Sequence, residues 1–384
     1  MKKLISYLLV SVLIIAPFSV STAAVNESGI KVEAKSAVLM DASTGEVLYS
    51  FNENEKLYPA SVTKIMPLLL FMEALDSGKI SLTDVVTASP TAASKGGSQI
   101  WLKEGETMTV DELLRATAIA SANDACTALG EHIAGSEVGF VKMMNDRAKE
   151  LGMTNTNFVN CSGLDDDTTE HLTTAYDIAL MSKELLSHER IKTYTTVWMD
   201  SLRNGETQLV NTNKLVRFYS GTTGLKTGTT TKAGYCLSAS AEREGLHLIA
   251  VVMGAGNSND RFEGAKAMLN WGFANFETVT PQIDSSLFGE VEILRGVQKS
   301  IKPVLVGVKP LTLRAGEKEK IETEINLSEN AEAPIEKNQT LGTVTLRIDG
   351  REIAEYNLVS EKEVEKTNMS HIMLRFLRSL AKSA

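Results

Sequence analysis

The chain has few cysteines, and this scarcity limits how its fold can be held together. Its 384 residues include three of them, Cys126, Cys161 and Cys236. Three cysteines are too few for the disulfide scaffold of a small secreted protein, and an odd number leaves at least one thiol unpaired. We therefore expect free, buried thiols that contribute to core packing.

Long apolar runs and an excess of basic residues are also missing. The most apolar stretch, residues 4–18, is shorter than the roughly 20 residues of a membrane-spanning helix, and Pro17 interrupts it. The formal net charge of −9 argues against an extended nucleic-acid-binding surface. The five histidines lack the spacing of metal ligands, so we predict no metal and no other cofactor. With 43% hydrophobic residues, the chain has enough apolar material for two or three globular domains.

The N-terminus has the layout of a secretory signal peptide. Lys2 and Lys3 precede the apolar stretch, and the small residues Ser21, Thr22, Ala23 and Ala24 follow it. We predict that residues 1–24 are removed on export. The mature protein is then expected at the outer face of the cytoplasmic membrane or in the periplasmic or extracellular space.

Residues 25–280 alternate between strand and helix patterns. Strands are predicted near residues 37–49 around a hairpin turn, and again at residues 224–227, 235–239 and 246–253. Helices are predicted between them at residues 65–75, 109–119, 124–134 and 175–186, and afterwards at 261–273. This order indicates an α+β fold in which helices pack around one antiparallel sheet.

The rest of the chain divides into two further segments. Around residues 276–283 the pattern shifts, and the polar stretch with Pro281 is interpreted as a linker. Residues 281–365 contain short strands only, including a hairpin turn signal at Asp349-Gly350, and are predicted to form a small β-sandwich domain. Residues 366–384 place apolar side chains on one helical face and basic ones on the other, which predicts an amphipathic helix at a membrane surface.

Three short motifs occur in order along the predicted catalytic unit. They are Ser61-Val62-Thr63-Lys64 (S-x-x-K), Ser121-Ala122-Asn123 (S-x-N) and Lys226-Thr227-Gly228 (K-T-G). Each alone is weak, because Ser379-Leu380-Ala381-Lys382 and Ser328-Glu329-Asn330 repeat two of them by chance. Each also has an ordinary structural explanation as a helix start, a turn or a strand end. Together and in this order they are typical of penicillin-recognising serine enzymes.

The chemistry of the three motifs is consistent with nucleophilic catalysis. Ser61 and Lys64 are three residues apart, so on a helical turn they share a face. A serine hydroxyl needs a base, and a lysine becomes one when burial or a nearby cation lowers its pKa. Lys226 is the predicted second cation. Asn123 is expected to hold Lys64, and Ser121 to pass a proton to the leaving amine.

The substrate is expected to lie along the K-T-G strand. Lys226 and Thr227 on an edge strand would attract a peptide carboxylate. The backbone N–H groups of Ser61 and Thr229 would form an oxyanion hole.

The motifs and their flanks resemble those of a known family. Residues 58–66, 121–126 and 224–228 closely resemble low-molecular-mass penicillin-binding proteins, the serine D-Ala-D-Ala carboxypeptidases with a C-terminal β domain. The resemblance implies a β-lactamase/transpeptidase-like catalytic domain, a small all-β domain and an amphipathic tail. Its implied substrates are peptidoglycan stem pentapeptides, which lose their terminal D-alanine, and its covalent inhibitors are β-lactam antibiotics.

The resemblance also implies roles for individual residues. Ser61 would form the acyl-enzyme, with Lys64 as base, Ser121 as proton relay and Asn123 beside them. The substrate carboxylate would be held by Lys226 and Arg261, next to Thr227, Gly228 and Thr229. Pro67 departs from the family, because related sequences usually carry a non-proline residue there, and it predicts a kink or irregular first turns in the helix after Ser61.

Two classes of protein remain as alternatives. A class A-like β-lactamase uses the same serine and lysine, but it needs a glutamate for deacylation and the chain has no E-x-x-L-N segment. A non-catalytic β-lactam receptor would normally need a membrane-spanning signalling helix. An endopeptidase or transpeptidase that acts on the same type of bond is not separated from a carboxypeptidase by sequence.

Overall fold

The computed structural model describes residues 29–165, 168–371 and 373. The predicted signal peptide and most of the predicted tail helix lie outside these residues. Within them, no helix combines the length and hydrophobicity that a bilayer span requires. The architecture confirms the predicted α+β class, with helices around an antiparallel sheet followed by a β-rich region.

The first eight α-helices of the described residues lie between the first two and the last three strands of the central sheet, and the ninth follows its last strand. They are α1 Ile65–Asp76, α2 Pro90–Ala93, α3 Val110–Ile119, α4 Asn123–Ala134, α5 Glu137–Glu150, α6 Ala175–Ser187, α7 Lys192–Thr195, α8 Leu215–Phe218 and α9 Ser258–Asn275.

The strands fall into a first group up to the central sheet and a second group after it. The first group is β1 Ser36–Asp41, β2 Val47–Phe51, β3 Val85–Thr87, β4 Thr107–Thr109, β5 Met199–Leu202, β6 Thr207–Val210, β7 Thr222–Thr230, β8 Gly234–Arg243 and β9 Leu246–Ala255. The second group is β10 Phe276–Val279, β11 Val291–Leu294, β12 Ser300–Ile301, β13 Val304–Val306, β14 Leu311–Arg314, β15 Glu322–Leu327, β16 Asn330–Glu332, β17 Thr340–Ile348 and β18 Arg351–Val359.

The central sheet joins the two ends of the catalytic unit. Its strand order is β2-β1-β9-β8-β7, and every neighbouring pair is antiparallel. β9 is buried along nearly its whole length because α6 packs on one face of the sheet and α9 on the other. Strands covered on both faces read as continuous apolar runs, as residues 246–253 do. β7 is left as an edge strand, with K-T-G at its middle.

The segment that carries Ser61 begins with a tight turn and continues as a buried helix. Residues Ala60–Lys64 form a 3₁₀ turn, and α1 follows directly. Pro67 is the third residue of α1, where a backbone N–H has no acceptor inside the helix, so proline is tolerated there. The predicted irregular first turns are therefore confirmed. Nine of the twelve α1 residues are buried, in line with its apolar sequence.

The S-x-N motif lies between two capped helices, as predicted. Thr109 and Glu112 form a reciprocal capping box at the start of α3. Helix α3 ends at Ile119, and α4 begins at Asn123. Helix α4 is terminated by Gly135, whose φ of 78° is the left-handed conformation that glycine adopts without strain. The motif therefore sits on a short turn that two helices hold in place.

Two sheets of the β-rich region have separate apolar cores. One has the order β12-β11-β16 and the other β13-β18-β17-β15. The predicted turn at Asp349-Gly350 joins β17 to β18, with both residues at positive φ. The pattern shift predicted around residues 276–283 begins with a strand. Residues Phe276–Val279 are strand β10, which pairs antiparallel with β14.

Candidate active site

The nucleophile candidate Ser61 lies beside a fully buried lysine. The 3₁₀ turn places Lys64 Nζ 3.0 Å from Ser61 Oγ. Ser61 is partly exposed, whereas the Lys64 side chain has no exposed surface. The predicted shared face of the two residues is therefore present, and the serine is open to a ligand from the solvent side only.

Two oxygen acceptors hold the Lys64 amine in place. Nζ donates to Asn123 Oδ1 at 2.5 Å and to the carbonyl oxygen of Ser162 at 2.8 Å. Burial lowers the pKa of Lys64 from 10.5 to about 8, and the charge of Asp124 opposes this shift. A lysine with this pKa is neutral in a useful fraction of molecules near neutral pH, as a base must be.

The S-x-N turn leads into α4, which begins at Asn123, and contacts the loop of residues 96–98. The N–H and the side-chain amide of Asn123 donate to the carbonyls of Ser98 and Gly96, each at 2.7 Å. Ser121 has a φ of 63° and is almost fully buried. Its hydroxyl has no hydrogen-bond partner among the described residues. A buried hydroxyl without a partner is available to a ligand or to a proton in transit.

The K-T-G strand passes directly against the turn that carries Ser61. A Cβ on Gly228 would lie 2.6 Å from the carbonyl oxygen of Pro59 and 2.9 Å from the backbone nitrogen of Ser61. Only glycine lets the two backbones approach this closely. Next to it, Thr227 donates from its hydroxyl to Thr212 Oγ1 at 2.7 Å.

Thr229 and Arg261 lie at the end of this strand. Thr229 is exposed, while Arg261 is buried and donates from Nη1 to the Gly228 carbonyl at 3.0 Å and to Thr229 Oγ1 at 3.1 Å. The guanidinium also donates to the carbonyl of Cys236 at 3.3 Å. Arg261 therefore supports the strand end and adds positive charge behind Thr229.

The two lysines of the site lie close enough to interact electrostatically. Lys226 is buried and its Nζ donates to the carbonyl of Thr227 at 2.9 Å. Burial lowers the pKa of Lys226 well below its usual range, and the charges of Lys64 and Arg261 lower it further. For Lys64, burial is the cause of the lowered pKa. Because repulsion between two ammonium groups is mutual, each lysine opposes the charging of the other in this buried site.

Sequence reasoning missed two contributors to the site. Ser162 acts through its carbonyl, which every residue has, so no sequence signal could have found it. His171 is fully buried, and its Nε2 lies 2.8 Å from Thr63 Oγ1 in the middle of S-x-x-K. Its sequence neighbours, Glu170 and Leu172, gave no signal that distinguishes a site residue from a core histidine.

The acidic residue Asp165 contacts the end of β7. Asp165 is buried, and its carboxylate accepts from Thr230 Oγ1 at 2.6 Å at the end of β7. Asp166 and Asp167 lie outside the described residues. A buried carboxylate needs such hydrogen-bond donors, and the folded chain supplies one from a segment 65 residues away.

The three cysteines are free and buried, as predicted. Cys126 Sγ donates to the carbonyl of Cys161 at 3.5 Å, one residue before the Ser162 carbonyl that holds Lys64. Cys126 therefore packs behind the site, within the main core cluster.

The geometry of the assembled residues by itself indicates a class of enzyme. A serine hydroxyl lies beside a buried lysine of lowered pKa. An unpartnered serine hydroxyl and an edge strand that carries Lys226 and is supported by Arg261 complete the site. This arrangement suits acyl transfer at a peptide or lactam carbonyl. It defines an active-site serine hydrolase of the penicillin-recognising type.

Comparison with known proteins identifies the family. The family described as D-alanyl-D-alanine carboxypeptidase matches residues 21–257, and the C-terminal domain of penicillin-binding protein 5 matches residues 276–366. D-alanyl-D-alanine carboxypeptidase DacF of Bacillus subtilis is 43% identical, over 98% of both chains. The chain belongs to the D-alanyl-D-alanine carboxypeptidase family and is a serine peptidase with that activity.

Solved structures agree with this family. Penicillin binding protein 5 from Haemophilus influenzae is 32% identical with a TM-score of 0.78, over 88% of this chain and 98% of that one. Penicillin-binding protein D2 from Listeria monocytogenes, in its ampicillin-bound form, is 33% identical with a TM-score of 0.58, over 63% of this chain and 98% of that one. These neighbours support penicillin binding, and they do not favour the β-lactamase or receptor alternatives.

Proposed function

We propose that the enzyme removes the terminal D-alanine of peptidoglycan stem pentapeptides through an acyl-enzyme on Ser61. The observation that carries this proposal is the 3.0 Å separation between Ser61 Oγ and the buried Lys64 Nζ. Neutral Lys64 accepts the hydroxyl proton while Oγ attacks the carbonyl carbon of the penultimate D-alanine. Positioned bases of this kind contribute about 10²–10⁴ to a rate.

The tetrahedral intermediate needs donors for its oxyanion. In the proposal these are the N–H groups of Ser61 and Thr229, which is supported by the close passage of Gly228 over the Ser61 nitrogen. As the intermediate collapses, the proton on Lys64 reaches the leaving amine through the Ser121 hydroxyl. Free D-alanine departs, and a water attacks the acyl-enzyme with the same groups acting in reverse.

The substrate carboxylate is proposed to bind at the cationic strand end. The support is the placement of Lys226 and Arg261 around Thr227 and Thr229, of which Thr229 is exposed. An arriving carboxylate would favour the charged form of Lys226. In this arrangement Arg261 acts through Thr229, whose hydroxyl it holds. Asn123 keeps Lys64 in position.

One experiment tests the reaction and the nucleophile together. Residues 25–384 are incubated with a pentapeptide ending in D-Ala-D-Ala, and release of D-alanine is compared with that of Ser61→Ala. We expect release that the substitution abolishes, together with loss of covalent labelling by penicillin. Release that persists in Ser61→Ala would refute the assignment of the nucleophile.

The domain organisation and location are part of the proposal. Residues 1–24 would direct export, 25–280 would form the catalytic domain, 281–365 the β domain, and 366–384 a helix on the membrane surface. The last point is supported by Met369 and Met373, which are 79% and 65% exposed. Removing residues 366–384 is expected to abolish flotation with anionic vesicles. Equal flotation of both forms would contradict it.

A further inference from the structure

Trp101 is a large aromatic side chain held in an unusual backbone conformation at the surface. It is 73% exposed, and its φ is 61°, in the left-handed region that bulky residues rarely adopt. Its neighbours Ile100 and Leu102 are buried in the core, so the Trp101 side chain points away from the body of the protein. Such a conformation persists only where the surroundings enforce it, and it is a recognised indication of function.

The enforcing group is a buried carboxylate next to the S-x-N motif. Asp124 accepts hydrogen bonds from the N–H groups of Ile100 and Leu102 at 3.1 Å and 3.0 Å. On the same stretch, Arg203 donates to the carbonyl of Ile100 at 2.9 Å. These hydrogen bonds on both sides of Trp101 restrict its backbone, and its ring is exposed to solvent.

The hydrogen-bonded segment of residues 100–102 lies next to residues of the active site. Asn123, which holds Lys64, is adjacent to Asp124 in α4 and bonds to the carbonyls of Gly96 and Ser98. Trp101 follows Ser98 by three residues, which bounds the distance between their Cα atoms at about 10 Å. A substrate that extends from the active site beyond residues 96–98 can therefore approach the indole ring of Trp101.

The charges around the ring favour an uncharged occupant. Lys103 and Glu104 follow Trp101 in sequence, and Arg203 is paired with Glu106 at 2.7 Å. These charges cancel, so the surface offers no excess carboxylate to an ammonium group. An indole face, with its negative quadrupole, suits the C–H face of a sugar ring.

We propose that Trp101 is a specificity-determining residue that stacks on a pyranose ring of the glycan to which the stem peptide is attached. This inference rests on the proposed function, because it assumes that the stem peptide occupies the cleft. Trp101 would then add affinity for glycan-linked substrate without taking part in the chemistry.

The test compares two substrates in the full mature chain. One is a pentapeptide ending in D-Ala-D-Ala, and the other is the same pentapeptide carrying its N-acetylglucosaminyl-N-acetylmuramic acid disaccharide. We expect wild type to prefer the disaccharide form, and Trp101→Ala to lower that preference about fivefold through KM. Trp101→Phe should keep most of it. Phe218→Ala, which removes another exposed aromatic ring, is the matched control and should leave the ratio unchanged.

The outcomes separate the two proposals. An unchanged ratio in Trp101→Ala, or no preference in wild type, would overturn the role of Trp101. Equal loss on both substrates would also overturn it, because that result indicates a structural role only. No release of D-alanine by wild type from either substrate would refute the proposed function itself.

Discussion

His171 donates a hydrogen bond from Nε2 to the Thr63 hydroxyl over 2.8 Å, and so ties a distant loop to the nucleophile turn. The direction follows from the other ring nitrogen. Nδ1 lies 3.1 Å from the N–H of Val159 and must accept, so the proton of the neutral ring is on Nε2. The same loop supplies the Ser162 carbonyl to Lys64. The ring therefore helps to fix the distance between a lysine and one of its acceptors.

Protonation of His171 is predicted to destabilise the fold in acid. Burial and the charge of Lys64 lower its pKa from 6.5 to about 4. The imidazole of His171 is therefore protonated below about pH 6.5 in the unfolded chain, but only below about pH 4 in the folded chain. The free energy of unfolding falls across this window, by about 3 kcal/mol for this group. In His171→Gln this part of the pH dependence should vanish.

The measurement is urea unfolding of both forms between about pH 7 and pH 4. His132→Gln, which replaces an exposed histidine, is the control and should keep the full wild-type slope. Parallel curves for wild type and His171→Gln would show that His171 does not titrate in this window.

Acylation by penicillin should follow the titration of Lys64. The base is the neutral amine, so the acylation rate constant is expected to rise with pH and level off above about 8. Asn123→Asp places a negatively charged carboxylate next to Lys64 Nζ and so favours the charged amine. It should raise the midpoint by about one to two pH units. Lys64→Arg should remove the pH-dependent rise altogether.

Stopped-flow acylation by benzylpenicillin between about pH 6 and pH 10 measures this midpoint. Circular dichroism of the two variants controls for their folding. If Asn123→Asp and wild type share one midpoint, the titrating group is not Lys64.

Much of the fold was predictable because its signals are local. The capping box at Thr109, the glycine at the end of α4 and the Asp349-Gly350 turn each specify a backbone conformation through nearby residues. The pairing of Ser61 with Lys64 was predictable for the same reason, since three residues of a helical turn fix it.

The unpredicted parts depend on contacts between distant segments. The burial of Asp165 depends on Thr230, and the neutrality of His171 depends on its burial and on the charge of Lys64. The strand β10 is paired with β14, although its own four-residue sequence places two polar residues side by side and shows no alternation. Composition and spacing carry no information about such partners until the chain is folded.

Adding one methyl group at Gly228 is predicted to impair the site severely. A Cβ there would lie 2.6 Å from the Pro59 carbonyl and 2.9 Å from the nitrogens of Ser61 and Val62, all of them backbone atoms. Gly228→Ala must push β7 and the nucleophile turn apart. We expect a loss of acylation rate of about 10² or more and a loss of stability of about 1–3 kcal/mol.

Penicillin acylation and thermal unfolding measure the two effects separately. Gly256→Ala is the matched control, because its Cβ would meet nothing closer than a side-chain oxygen at 3.7 Å. Similar acylation by both variants would mean that the close approach of β7 to Ser61 is not needed for the reaction.

Asp41 is predicted to couple the central sheet to the β-rich region. Its buried carboxylate accepts from Thr278 and Thr312, each at 2.8 Å, on the paired strands β10 and β14. Asp41→Asn replaces one acceptor with a donor and should cost about 1–3 kcal/mol. Calorimetry should then resolve separate transitions for the two parts, while release of D-alanine from a small pentapeptide continues. Thr312→Ser keeps the hydroxyl and should unfold as wild type does. A single unshifted transition in Asp41→Asn would show that the strands hold together without this carboxylate.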